Sequence, residues 1–448
     1  MDIIVKPNSF FSRIWKEQQY DPDVTYRRAK HCHAIKHGDV ILIYNFLTRM
    51  FVSCAADSFE DAVNKNKEFF VKNYFLVPED FNEIELADFL VRAVNASRPV
   101  GKPHGFVIFT TTVCNARCPY CFEKNSPVRH MTEKTANDIG DFILNTIDTK
   151  KPVSFTWFGG EPLMNPKVID IICGKLRDAG VSFSSYVISN GYLFDNDMVE
   201  HALKYWNLKK AQITLDGTED VYNRIKAYVY KNDESPFKRV TSNIQKLVDH
   251  NVKVGIRLNV SEENCENLEE LVRQLAPQFS GNDLVRVYCH DVYHGNEHHP
   301  SKEDLELSVL RSRVTFKIVE LIEQLYHYNH ALLTPEIRGR RCMADRDDCV
   351  TLLPDGTIIE CESYLEDEPV GTIYDDYRNQ DVIRRWKESG KNEACKDCVL
   401  YAKCDAIKNC PNHNPDICFA GYRNTLLYKS ELQMISTYED YIKNKKTE

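Results

Sequence analysis

Six short runs rich in β-branched and aromatic residues, FVIFTTT, VSFTWF, SSYVIS, AQITLD, VKVGIRL and LVRVYC, recur between residues 106 and 289, and each precedes a helical pattern. Parallel strands need a long crossover between them, and a helix is the usual one. Strand and helix alternating six times therefore predict a parallel barrel or an open, doubly wound sheet. Start signals support the helices. Asn165-Pro166 and Ser235-Pro236 each place a cap before a first-turn proline, and Ser301 with Asp304 forms a capping-box pattern. Phe237, Val240, Ile244, Leu247 and Val248 recur at helical spacing and mark one buried stripe. No sequence repeat accompanies the alternation, so the repetition is architectural only.

Both architectures put function at the carboxyl edge of the sheet. Glycines and polar residues gather there. VCNARCPYCFEKN follows the first run, GGEP the second, NGYLF the third, GTED the fourth and HDVYHG the sixth. That edge is the expected active site, with His290, Asp291 and His294 as candidates to face a substrate. Around this core, residues 1–95 combine the apolar run DVILIYNFLTRMFV with two amphipathic helix patterns near 58–73 and 80–94, and NASRPVGKPHG reads as a linker over 96–105.

The chain has 16 cysteines, too many for chance and too unlike a secreted scaffold for a disulfide framework. Cys32, Cys54, Cys173, Cys265 and Cys289 stand alone and read as small buried hydrophobes. The other eleven form two groups suited to a metal or a cluster. Cys114, Cys118 and Cys121 form Cys-x3-Cys-x2-Cys, one short of the four ligands that a structural zinc site wants, unless His130 completes it. Three thiolates on a four-iron cluster would leave one iron open. The formal charge of −9, from 57 basic and 66 acidic residues, argues against a broad nucleic-acid-binding face. The first residues lack a long apolar core and no run of apolar residues is long enough to span a bilayer, so a cytoplasmic protein away from the membrane is expected.

With Tyr120 between Pro119 and Cys121, this motif resembles that of the radical S-adenosylmethionine (SAM) enzymes. The resemblance implies a 4Fe-4S cluster held by Cys114, Cys118 and Cys121, whose open iron chelates SAM. An electron from the reduced cluster then releases a 5′-deoxyadenosyl radical that abstracts hydrogen. By the same resemblance Gly159, Gly160 and Glu161 bind the SAM amino group, and Ser189 and Asn190 meet its ribose or carboxylate. Thr214 stands where relatives often have Ser. Lys226 replaces an Arg that meets the SAM carboxylate, keeping the charge without the bidentate fork. Leu258 packs on the adenine or in the core.

The second group comprises Cys342, Cys349, Cys361, Cys395, Cys398, Cys404, Cys410 and Cys418, enough for two four-thiolate sites. Its first part contains LPDGTIIEC, an expected hairpin with an Asp-Gly turn, and its second begins Cys-x2-Cys-x5-Cys. Together they resemble the SPASM domain of peptide-modifying radical SAM enzymes, which implies two auxiliary 4Fe-4S clusters and three clusters in all. Carried over, Cys342, Cys349, Cys361 and Cys410 hold the cluster nearer the active site; Cys395, Cys398, Cys404 and Cys418 hold the outer one. Five residues separate Cys404 from Cys410 where the family commonly has three. Glu362 sits where sulfatase-maturing relatives carry a proton-accepting aspartate, and an exposed hairpin carboxylate is the competing reading.

The expected fold is thus α/β: a partial (β/α)6 TIM-type radical SAM barrel over 106–330, a cysteine-rich SPASM domain over 331–420, a helical tail over 421–448, and a small N-terminal α+β domain for recognition or bridging. The N-terminal extension is similar to the leader-docking regions of ribosomal-peptide maturases. That resemblance implies a precursor peptide with a leader as substrate, thioether or other cross-link formation, and a flavodoxin or ferredoxin as reductant. A formylglycine-generating sulfatase maturase is the alternative within the family, and a non-enzymatic zinc-binding interaction protein the alternative outside it.

Overall fold

The computed structural model describes residues 1–7, 18–96, 101–230, 234–292, 301–335, 342–363, 368–388, 390–404, 406, 408, 410 and 413–446. The N-terminal unit contains strands β1 (Asp2–Val5), β2 (Tyr26–Arg28), β3 (Cys32–His37), β4 (Val40–Asn45) and β5 (Phe51–Cys54), helix α1 (Phe59–Lys72), β6 (Leu76–Pro78) and helix α2 (Glu83–Ala96). Four of the strands form an antiparallel sheet in the order β1-β5-β4-β3. The run VILIYN is apolar throughout because both faces of β4 are covered. Ile41 and Ile43 pack with Phe59, Ala62 and Phe70 of α1, while Leu42 and Tyr44 face Cys398, Leu400 and Met434 from the far end of the chain.

The six expected runs are the six parallel strands. They are β7 (Gly105–Thr111), β8 (Val153–Gly159), β9 (Phe183–Ser189), β10 (Leu208–Thr214), β11 (Lys253–Val260) and β12 (Val285–Asp291). Between and after them lie α3 (Glu133–Thr146), α4 (Pro166–Asp178), α5 (Asn196–Trp206), α6 (Glu219–Lys226), α7 (Pro236–Asp249), α8 (Leu268–Phe279) and α9 (Lys302–Tyr326). The strands lie side by side from β12 to β7 without closing, so the barrel is partial. The expected stripe of α7 is buried from Val240 on, with Phe237 partly buried and Asn243 added because its amide donates to the carbonyls of Gly191 and Tyr192 (2.9 and 3.2 Å).

Of the three start signals, Ser301 and Asp304 do form a capping box. Asn165 and Ser235 occupy cap positions without a side-chain cap bond. Asn165 instead donates to the carbonyls of Thr110 and Met131, and Ser235 accepts from Asn223, so tertiary partners displaced the local ones.

Past α9 the cysteine-rich segment joins the same sheet. Strand β13 (Cys349–Leu352) runs parallel to β7, and β14 (Thr357–Ile359) and β15 (Gly371–Thr372) extend it antiparallel. The hairpin expected from LPDGTIIEC is the β13–β14 turn, with Gly356 at φ +88°. Helix α10 (Gln380–Lys387) follows. A π turn at Cys418–Tyr422 leads into α11 (Arg423–Lys445), the expected helical tail, which lies across the N-terminal sheet. No helix among the described residues is long and apolar enough to cross a membrane.

Candidate active site at the carboxyl edge and two cysteine sites

The carboxyl ends of β7, β8 and β9 are drawn together by two glycines and a carboxylate. A Cβ on Gly159 would lie 2.1 Å from the Thr111 carbonyl, and one on Gly160 2.6 Å from those of Thr112 and Val113. Only glycine fits this approach, and Gly159 also holds φ +114°. The amides of Gly160 and Glu161 then donate to the carbonyls of Thr111 and Val113 (both 3.0 Å). Glu161 is fully buried and already occupied. It accepts from the Ser189 hydroxyl (2.9 and 3.0 Å), the Asn190 amide (2.9 Å) and the Leu163 amide (3.1 Å). Burial pushes its carboxyl up to about 7 despite those donors. Its carboxylate braces β8 against β9, rather than standing open to an incoming ammonium.

A second buried network ties the cysteine loop to β10 and β11. Lys226 and Asp216 form an ion pair (2.9 Å) at 3% and 0% side-chain exposure. The ammonium also donates to Thr214 Oγ1 (2.7 Å) and Tyr120 Oη (3.3 Å). Tyr120 donates to Asp216 (2.5 Å), and the Asn259 amide reaches both Tyr120 and Asp216 (3.1 Å each). Burial alone would lower the Lys226 ammonium, yet Asp216, with Cys118 and Tyr120, holds it well above the usual lysine range. Lys226 is therefore a cation whose orientation is set by Asp216.

Cys114, Cys118 and Cys121 lie together in the loop after β7, all partly buried. Burial raises the Cys114 thiol to about 12 and the Cys121 thiol to about 11, and neighbouring thiols add to both shifts. The loop is anchored on the opposite wall: Arg117 N donates to the Lys226 carbonyl (2.8 Å) and Val229 N to that of Asn115 (2.9 Å). Asn190 Nδ2 donates to Asn115 Oδ1 (2.7 Å), and Asn115 Nδ2 is buried beside Cys114 without a partner. His130 does not complete the group; its Nδ1 is bonded to Thr111 Oγ1 (2.9 Å). Among the described residues no three His, Cys, Asp or Glu side chains converge tightly enough for a single ion. The loop thus brings three thiols and an unused amide donor together, which suits an anionic group larger than one ion.

Of the eight later cysteines, four share one cavity and three more are neighbours. Cys395, Cys398, Cys404 and Cys418 line one small, mainly apolar cavity. Cys361 is raised by burial, then by Glu362, Cys342 and Cys410, which places those three thiols in one neighbourhood. Cys349 is on the adjacent strand of the hairpin, where Thr351 pairs with Ile359, and it too is raised by burial and further by Glu362. This inner set is not at the carboxyl edge. Cys349 pairs with Gly105, the first residue of β7, whereas Cys114 follows the last. At about 3.3 Å per residue, the two stand roughly 20 Å apart along the strand. Glu362 is mostly buried, with Oε2 unpartnered and its carboxyl raised by burial, so the exposed-hairpin reading fails. A cleft of about 740 Å³ between α3 and the β13–β15 extension opens onto Cys349.

Other candidates moved. Asp291 is inside β12 and buried, bonded to Thr315 and Ser312 of α9. His290 is also within the strand, its Nδ1 paired with the Asp291 carbonyl (2.7 Å), and burial lowers it to about 4. His294 lies outside the described residues. Leu258 belongs to the main core, fully buried. Of the isolated cysteines four are buried and Cys265 is partly exposed, and no disulfide links any of the sixteen cysteines among the described residues. Reasoning from sequence missed Asp216, Asn259 and Asn115. Asp216 and Asn259 close the fourth and fifth strand runs, and a polar residue at a strand end was the available signal.

Residues 108–275 match the model of the Radical SAM superfamily, so the chain carries a radical SAM domain. The chain is 29% identical over 172 residues to an uncharacterized protein of Methanocaldococcus jannaschii, covering 38% of this chain and 57% of that one. It is 25% identical over 166 residues to a serine-type anaerobic sulfatase-maturating enzyme of Bacteroides thetaiotaomicron, covering 34% and 38%. The chain thus spans well under two thirds of the length of both. The structure of native anSMEcpe with bound AdoMet and Kp18Cys peptide superposes with TM-score 0.55 at 13% identity, covering 75% of this chain and 99% of that one. The fold is shared. The match to an enzyme superfamily over residues 108–275 favours an enzyme over a non-enzymatic zinc protein.

Proposed function

We propose that this radical SAM enzyme is a peptide maturase that abstracts hydrogen from a ribosomally made precursor and closes a thioether or other cross-link. The observation that carries the reading is the division of eleven cysteines into a three-thiol loop at a glycine-cradled carboxyl edge and two further four-thiol sets. Cys114, Cys118 and Cys121 would hold the SAM-binding cluster. When bound and reduced, that group supplies the electron that cleaves SAM to a 5′-deoxyadenosyl radical.

The chain's own residues orient the cofactor. The carbonyls at Gly159 and Gly160 take its amino group, while Thr214 and Lys226 take its carboxylate, with Lys226 aimed by Asp216. Ser189 and Asn190, held by Glu161, meet the ribose, and Tyr120 backs the site. Cys342, Cys349, Cys361 and Cys410 would hold the inner auxiliary cluster, and Cys395, Cys398, Cys404 and Cys418 the outer. Glu362, whose Oε2 is unpartnered beside the inner set, would accept a proton only from a substrate that reaches from the carboxyl edge across to that set. The N-terminal unit receives the leader at a sheet edge, a flavodoxin or ferredoxin supplies electrons, and the enzyme works in the cytoplasm.

Support for a peptide substrate comes from anSMEcpe, whose structure holds a peptide, and the cross-linking role rests on the likeness of the N-terminal extension to leader-docking regions. Formylglycine formation is the second reading, favoured by the sulfatase-maturating relative. The test is anaerobic purification followed by turnover. A brown protein with about 12 iron per chain, releasing 5′-deoxyadenosine and removing a pair of hydrogens from a peptide encoded beside its gene, supports the proposal. Activity confined to a sulfatase peptide selects the second reading, and a colourless zinc protein after anaerobic reconstitution refutes both.

A further inference from the structure

The outer cavity carries more than four thiols. Lys391, Arg423 and His413 line it as well. Lys391 donates to the carbonyls of Tyr401 and Cys404 (2.8 Å to the latter), so its ammonium is fixed at the mouth of the cysteine loop. Lys391 and Arg423 line the same cavity as Cys395, Cys398, Cys404 and Cys418, so both cations face the thiols. His413 is held by its own backbone, whose amide donates to the Cys410 carbonyl (3.1 Å), and its Nδ1 is buried without a partner. A buried ring nitrogen with no partner costs free energy unless something in the cavity pairs with it.

The described charges around the inner thiols differ. Arg346 is held by Asp348 in a two-point ion pair (2.6 Å each), which spends its charge locally, and Glu362 remains. A four-thiolate iron–sulfur group is anionic and gains a further negative charge on reduction, so cations and donors raise its potential and carboxylates lower it.

Resting on the functional reading above, we propose that Lys391, Arg423 and His413 set the outer site at a higher reduction potential than the inner one, with His413 donating through Nδ1 to the sulfur of the bound group. Reduction there adds one electron and no proton, and the outer site becomes the better electron acceptor of the two. His413 and Arg423 are the informative positions, because Lys391 also holds the loop together.

The experiment is a potentiometric titration of the anaerobically reconstituted full chain, followed by electron paramagnetic resonance, in the wild type and in His413→Leu and Arg423→Gln. Both variants should keep about 12 iron per chain. In each, the outer signal should shift to lower potential by at least a tenfold change in electron partition, about 59 mV for a one-electron couple. The other two signals should not move. Arg423→Lys should restore most of the shift. Unchanged potentials at full iron content overturn the proposal, as does loss of four irons from His413→Leu, which would make the residue a ligand. A wild type that never binds more than one cluster would instead defeat the functional reading itself.

Discussion

The carboxyl-edge site and the outer cysteine cavity are built in opposite ways. At the carboxyl edge the functional groups come from the ends of parallel strands and the loops after them, except Lys226 at the end of α6, and the polar side chains answer one another: Glu161 with Ser189 and Asn190, Asp216 with Lys226, Tyr120 and Asn259. No strand contributes a side chain to the lining of the outer cavity. Its walls are a cysteine loop, the start of α11 and, through Leu400, Tyr401 and Ala402, the N-terminal unit. Arg49 of that unit donates to the Ala402 carbonyl (3.1 Å), Tyr401 donates to Asp88 (2.8 Å), and Lys30 pairs with Asp397. Local strand geometry suffices to assemble one site, whereas the other depends on contacts more than 300 residues apart in the chain. The N-terminal unit is thus a bridge as well as a candidate recognition surface.

That contrast can be broken from either side. Deleting residues 1–95 strips the apolar cover from Leu400, Tyr401 and Met434, and iron should fall from about 12 to about 8 per chain while the SAM-binding cluster survives. Retention of all the iron, measured by colorimetric assay, would refute the bridging role. Gly160→Ala should do the reverse. It pushes the carbonyls of Thr112 and Val113 away by an ångström or so and weakens SAM binding by roughly 100-fold, leaving the outer cluster intact. Equilibrium dialysis with labelled SAM, beside the iron count, reads both effects.

Asp216→Ala leaves the Lys226 ammonium buried and unpaired, at a cost of about 3–5 kcal/mol, and urea denaturation of the apoprotein should register it. Glu161 offers a pH test. Its carboxyl titrates near 7 in the folded chain against 4.5 in the ordinary state. Below pH 4.5 both states hold the proton and there is no penalty. Between 4.5 and 7 the unfolded chain ionises while the folded one does not, so stability falls as pH rises and the fall is complete above 7. Glu161→Gln should abolish that slope in denaturation curves taken across this range. The smallest effect is expected of Tyr401→Phe, which removes one half-buried hydrogen bond to Asp88 and should cost about 1 kcal/mol.

Much of the carboxyl edge was legible because strand ends announce themselves: a β-rich run stops and a glycine or polar residue follows. Gly159, Gly160, Ser189, Asn190 and Thr214 all lie where the runs stop, and the three-cysteine loop follows the first of them. What the spacing could not show is which of these residues also have partners inside the protein. Glu161 and Lys226 are each already paired inside the protein, and Asp291 and Leu258 face its packed interior. A partner on a neighbouring strand leaves no trace in the spacing of either residue. The position of the inner cysteines was equally hidden, since β13 enters the sheet beside β7 with Cys349 at its amino edge, which depends on register and not on the hairpin's own sequence.

Sequence by itself determined the six-fold strand and helix alternation, the three-thiol loop and the inventory of eight further cysteines, because periodicity and spacing act over a few residues and need no knowledge of distant neighbours. Only the tertiary structure decided which cysteines share a cavity, that the cations Lys391 and Arg423 attend one set and Glu362 the other, and that the N-terminal unit walls the outer site. Those facts depend on burial and long-range packing, where a charge or a cavity exists only once remote segments have come together.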